Sequence, residues 1–167
     1  MTDPAVSDRV GRIEPQQIRR LFDLAAEHDG DDVVHLELGE PDFPTPEHVV
    51  EAAVTAARDG RTNYTPNAGI EPLREAIADR LRAGDVDADP DRVVVTTGGV
   101  EALYLTLLTL TDPGDEVVVP TPAWPNPLSG ARLASAVPVE VPLDPADGFA
   151  FDADRVVDAI GDRTGAV

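Results

Sequence analysis

From residue 92 onward, short β-branched runs alternate with helical stretches, and this alternation constrains the fold more than any other feature of the chain. Arg92 to Thr97 reads as a buried strand, Glu116 to Val119 as a second and Val137 to Val141 as a third. Val100 to Leu110, Leu128 to Ala134 and Ala153 to Ile160 carry apolar residues at helical spacing. Strands and helices in strict alternation predict an α/β domain with a mostly parallel sheet. Right-handed crossovers then place helices on both faces of that sheet. Thr164 to Val167 looks like the entry to a further strand. A half-made strand leaves an open sheet edge, so the sequence is expected to be part of a larger, truncated α/β domain.

Before residue 92 the pattern is different. Val6 to Gly11 reads as an irregular arm, and Pro15 opens a helix carrying Ile18, Leu21, Phe22 and Ala25 on one side. Val33 to Leu38 alternates like a short strand, and Gly39 to Pro46 is a proline-rich ordered loop. Glu47 to Asp59 and Glu71 to Ala83 read as helices, the second with Pro72 in its first turn. The loop Gly60 to Gly69 joins them. The expected organisation is an arm, helix and loop over 1–46, a helical segment over 47–91, and an incomplete α/β domain over 92–167.

Composition narrows the function classes. Hydrophobic residues make up 42% of the chain, enough for a core, but aromatics only 4%, so Val, Leu, Ala and Ile must build it. No apolar run approaches the roughly 18 residues of a membrane span. No signal peptide is visible at the N-terminus, and a cytoplasmic protein is expected. The chain has no cysteine, hence no thiolate metal site. His28, His35 and His48 share no metal-ligand spacing. The formal net charge of −19 argues against nucleic acid as a partner, because phosphate binding needs positive charge. The acids are spread along the whole chain, which fits a halophilic cytosol, where salt screens their mutual repulsion. All 13 basic residues are arginine, and there is no lysine.

The sharpest local signal is Val93-Val94-Val95-Thr96-Thr97-Gly98-Gly99-Val100-Glu101, a strand run followed by a glycine pair and a helix. Glycines let the backbone turn tightly and approach a ligand. The first N–H groups of a helix lack intrahelical acceptors and carry partial positive charge, so an anion such as phosphate fits there. The run is neither a P-loop nor a dinucleotide fingerprint, since both spacings are absent. Taken alone, it fits an anion site and an ordinary tight turn equally well.

Five segments in order add a resemblance. Gly39-Glu40-Pro41-Asp42-Phe43-Pro44 resembles the glycine-proline loop of class I/II aminotransferases of the aspartate aminotransferase fold. Tyr64 with Gly69, Leu73 and Arg74 resembles their Y-x-x-x-x-G-x-x-x-L-R segment. Thr97-Gly98-Gly99-Val100-Glu101-Ala102 is similar to their cofactor-phosphate turn. Asp112-Pro113-Gly114-Asp115-Glu116-Val117 and Pro120-Thr121-Pro122-Ala123-Trp124 are similar to the segments that follow it.

The resemblance implies pyridoxal 5'-phosphate as cofactor. It implies that Gly98, Gly99 and Val100 hold the cofactor phosphate and that Trp124 stacks on the ring. By the same resemblance, Tyr64 reaches the cofactor phosphate of a partner subunit, which implies a homodimer, and the backbone of Gly39 meets the substrate carboxylate. Some family members carry Ser or Thr where this chain has Gly98 and Val100, so the phosphate contacts here lean on backbone N–H groups. The family holds its cofactor through a lysine, and no catalytic residue of that kind exists in this chain. The expected function is amino transfer from an amino acid to a 2-oxo acid by a longer protein, with this chain inactive alone. A lyase or synthase of the same fold, or a remnant that binds a phosphorylated ligand without reacting, are the alternatives. With sheet faces uncovered, the isolated chain is expected to be poorly soluble or partly molten.

Overall fold

Three consecutive valines, Val117, Val118 and Val119, are all buried, which makes their strand the centre of the sheet and not one of its edges. The structure, a computed structural model, describes residues 6–13, 17–28, 34–36 and 39–167. The helices are α1 (Asp8–Gly11), α2 (Gln17–Glu27), α3 (Glu47–Arg58), α4 (Glu71–Arg82), α5 (Gly99–Leu110), α6 (Asn126–Leu133) and α7 (Ala153–Asp158). The strands are β1 (Glu116–Thr121), β2 (Val137–Pro142) and β3 (Thr164–Ala166). The chain divides into two compact units, one formed by Met1–Gln17 with Thr97–Val167 and the other by Ile18–Thr96.

In the first unit, β1 pairs in parallel with both β2 and β3, giving the order β2-β1-β3. Glu116 faces Val137 at one end of the β1–β2 ladder, and Thr121 faces Pro142 at the other. Side chains alternate across a strand, and the core divides accordingly. Val117 and Val119 pack with Leu107 of α5 and with Ala131, Ala134 and Ala136 of α6 and its exit. Val118, only 1% exposed, packs on the opposite face with Val141 and Val156 of α7. A strand covered on both sides reads as an unbroken apolar run, as it does here. The α/β class with a parallel sheet and helices on both faces is therefore the observed one.

Small residues let α6 come close. A Cβ on Gly130 would lie 3.1 Å from Cδ1 of Leu107. Thr111, buried past the end of α5, returns its hydroxyl proton to the Leu107 carbonyl at 2.7 Å. The turn to β1 is closed by Asp115 Oδ2, which accepts from Asp112 N–H at 2.8 Å, and by Gly114, at φ 97°. At the far side, Glu116 N–H donates to the Arg163 carbonyl at 2.7 Å, and the Arg163 guanidinium contacts the Glu116 carboxylate.

In the second unit, α4 is tied to the segment that follows it. Arg74 Nη1 donates to the Pro90 carbonyl at 2.8 Å, beside the Asp91 carboxylate at 3.4 Å. Val95 N–H donates to the Ala68 carbonyl at 3.0 Å, across the loop that leads into α4. Asp89 caps a short 3-10 turn over Pro90–Arg92 by accepting from Asp91 N–H.

Three local expectations change. Val6 to Gly11 is not wholly irregular: α1 forms at Asp8, because the Ser7 carbonyl accepts from Val10 and Gly11 N–H. The strand expected over Val33 to Leu38 is absent from residues 34–36, where Val34 and Leu36 stand exposed; residues 33, 37 and 38 lie outside the described set. Arg92 to Thr97 joins no ladder of the three-stranded sheet, and Val94 is 64% exposed. β-branched residues favour extended backbone, as Val93 shows at φ −99° and ψ 127°, but a strand also needs a neighbour. The helix expected from Pro15 begins its described course at Gln17, and residues 14–16 lie outside the described set.

Candidate functional site

The site begins at the glycine pair. Gly98 is the N-cap of α5 at φ 83° and ψ 171°, a backbone conformation open in practice only to glycine. Having no side chain, it cannot cap the helix, and no side-chain cap is present. The N–H groups of Gly99 and Val100, in the first turn, have no acceptor within the helix. A Cβ added to Gly98 or Gly99 would meet no atom within 4 Å. The helix start therefore combines open donors, the positive end of the helix dipole and free space above it.

One acid shapes this turn. Glu101, the third residue of α5, folds back so that its Oε2 accepts from the Thr97 backbone N–H. The carboxylate also sits in the first turn, where the dipole favours negative charge. Residue order alone places Glu101 in support of the first helical turn, and the fold adds its contact with Thr97. A Glu three residues after an N-cap is the signal that could have found it.

Topology brings Trp124 to the same end of the sheet. Helix α5 has twelve residues, about 18 Å, and β1 has six, about 20 Å. The chain turns sharply between them, so the start of α5 and the end of β1 lie at one edge. Trp124 follows β1 in the loop before α6 and is half exposed. The carboxyl edge of a parallel sheet is where open α/β folds bind ligands. A cleft of about 540 Å³ lies beside the turn, lined among others by Thr97, Val100, Glu101, Tyr104, Asn126 and Ser129. Tyr104 and Asn126 were not foreseen as site residues, because no motif marks them.

Gly98, Gly99, Val100 and Trp124 thus belong to one unit and one end of one sheet. Tyr64 and Gly39 belong to the other unit. Tyr64 stands fully exposed in the loop between α3 and α4, and Gly39 is exposed in the stretch before α3, with nothing within 4 Å of an added Cβ. No group of three or more metal-ligating side chains occurs among the described residues.

A parallel α/β sheet with an uncapped, glycine-led helix start and an aromatic at its carboxyl edge has donors and a ring face of the kind a flat, phosphorylated ligand needs. Residues 31–167 match the family model of aminotransferase class I and II, and the chain belongs to that family, whose members work with pyridoxal phosphate. It is 45% identical over 165 residues to an aspartate/prephenate aminotransferase of Thermus thermophilus, covering 97% of this chain and 43% of the relative. It is 39% identical over 160 residues to a probable aspartate aminotransferase of Methanocaldococcus jannaschii, covering 95% of this chain and 41% of the relative. A solved aspartate aminotransferase of T. thermophilus with maleate superposes at a TM-score of 0.89 with 42% identity, over 97% of this chain and 43% of that one. An aspartate aminotransferase of Thermotoga maritima does so at 0.87 with 38% identity, over 95% of this chain and 43% of that one. The fold is that of the aspartate aminotransferases, and the chain spans about two-fifths of the length of these relatives.

Proposed function

We propose that this chain forms the phosphate-holding and ring-facing part of a pyridoxal-phosphate-dependent aminotransferase that moves an amino group from an amino acid to a 2-oxo acid. The observation that carries the reading is the open start of α5 sharing a sheet edge with Trp124. The donor set suits the cofactor: two unsatisfied N–H groups for a phosphate dianion, and an indole for an electron-poor ring. When bound, the cofactor supplies an electron sink for carbanion chemistry.

In this reading Gly99 and Val100 donate backbone N–H groups to the phosphate. Gly98 supplies the backbone conformation that exposes them. Trp124 covers one face of the ring and keeps water from it. Gly39 offers its backbone to the substrate carboxylate. Tyr64, wholly exposed, reaches out to the phosphate site of a second copy, which makes the working protein a homodimer. Residues 1–46 act as arm and substrate loop, 47–91 as the lead-in, and 92–167 as the cofactor-binding part of the large domain. The many exposed acids suit a halophilic cytoplasm.

The absence of lysine favours a second reading for the chain by itself: it holds the cofactor without a covalent bond and does not catalyse transfer. Titration calorimetry of the chain with pyridoxal phosphate, followed by borohydride treatment and mass analysis, tests both. Saturable binding with no side chain modified is the expected result. Failure to bind, with the chain folded, would overturn the cofactor reading. Turnover by the chain alone, with an amino acid and a 2-oxo acid, would overturn the inactive one.

A further inference from the structure

We propose that Glu101 is a positioning residue of the phosphate turn, holding the Thr96–Thr97 peptide that leads into Gly98 so that the open N–H groups of α5 stay aimed at the cofactor phosphate. The inference rests on the cofactor reading above and concerns how this chain keeps its donors in place.

A capping box normally has two halves. The N-cap side chain takes a helix N–H, and the third helical residue reaches back to the N-cap N–H. Here the second half is displaced by one residue. Gly98 has no side chain to take a helix N–H, while Glu101 reaches past it to Thr97 N–H. The arrangement separates the donors. The N–H that precedes the turn is occupied, and those of Gly99 and Val100 inside the helix are left for a ligand. Phosphate binding therefore does not draw on Thr97 N–H.

Glu101 also anchors the entry to Gly98. Gly98 holds φ 83° and ψ 171° with no Cβ to limit it and no atom packed where a Cβ would be. Glycine's broad backbone map leaves its conformation to its contacts, and the Gly98 carbonyl accepts from Ala102 N–H at 3.3 Å. Glu101 ties the preceding Thr96–Thr97 peptide to α5 as well, so both flanks of the turn are held before the ligand arrives, which lowers the ordering cost of binding. The carboxylate does this at an electrostatic disadvantage, since it places negative charge beside an anion site. An uncharged acceptor of the same length keeps the restraint and loses the repulsion.

Glu101→Gln and Glu101→Ala, compared by calorimetry with pyridoxal phosphate and then with inorganic phosphate, separate these roles. Glu101→Gln is expected to bind both at least as tightly as the parent chain. Glu101→Ala is expected to bind them about five- to tenfold more weakly, the loss of one restraining hydrogen bond. If Glu101→Ala binds like the parent, or if both variants weaken equally, the positioning role is wrong and the cofactor reading stands. If the parent chain binds neither probe, the cofactor reading falls and this inference with it. Where Glu101→Ala does not fold, amide exchange at Thr97 decides. Protection in the parent and in Glu101→Gln supports the clamp, and fast exchange in the folded parent overturns it.

Discussion

Gly69 and Val95 approach so closely that a Cβ on Gly69 would lie 2.6 Å from Cγ2 of Val95 and 2.8 Å from its Cβ. Gly69 also sits at φ 95°, where L side chains are strained. The two residues are joined by the Val95 N–H to Ala68 carbonyl bond, so neither backbone can withdraw without breaking it. Gly69→Ala is expected to lower stability by about 3 kcal/mol, combining overlap with backbone strain. Adding Val95→Ala removes the Cγ2 overlap but keeps the contact with the Cβ at 2.8 Å, so it should recover only part of the loss and leave the rest of the overlap and the strain. Urea midpoints of the two variants measure this, and an unchanged midpoint for Gly69→Ala would show that the segments do not pack this way.

Val118 is the most deeply buried large side chain described, and Val94 is one of the exposed ones. Both occur in runs of three valines that look alike in sequence. Val118→Ala is expected to cost about 2 kcal/mol, from lost burial and an unfilled space against Val141 and Val156. Val94→Ala should change stability by less than about 0.5 kcal/mol. Thermal melts of the pair test the placement, and equal losses would put residues 93–95 in a packed strand after all.

Trp124 is the only tryptophan in the chain, so its fluorescence reports on one place. Binding of pyridoxal phosphate at the carboxyl edge of β1 is expected to quench it. Trp124→Ala should weaken that binding about tenfold, and Trp124→Phe much less, because a ring face remains. Binding that leaves Trp124 emission unaltered would separate this residue from the cofactor.

Thirty-two acids against 13 arginines leave strong self-repulsion in the compact state. The melting temperature is expected to rise between about 0.1 M and about 2 M KCl, as the screening length shortens to a few ångströms. A melting temperature that falls or stays level with KCl would remove the case for a halophilic surface.

Much of the fold was legible residue by residue. The alternation after residue 99, the turn at Asp112 to Asp115 and the glycine pair before α5 depend on local chemistry. Backbone preference and apolar spacing are local quantities, and the structure places β1, β2, α5, α6 and α7 close to where they were expected. The strand expected over Arg92 to Thr97 was not decided locally. Its valines favour extended backbone, but pairing needs a neighbour, and the sheet of this chain is β2-β1-β3.

The site divides along the same line. The sequence by itself determined that a glycine-led helix start could take an anion, that one tryptophan follows β1, and that no lysine is present, because each is a property of residue type and order. Only the tertiary structure decided that the start of α5 and Trp124 share an edge of the sheet, and that Glu101 turns back to Thr97 and leaves Gly99 and Val100 open. The reason is physical: residue type sets which groups can donate, accept or stack. Which of them are already satisfied, and which remain free for a ligand, depends on distances that only the folded chain fixes.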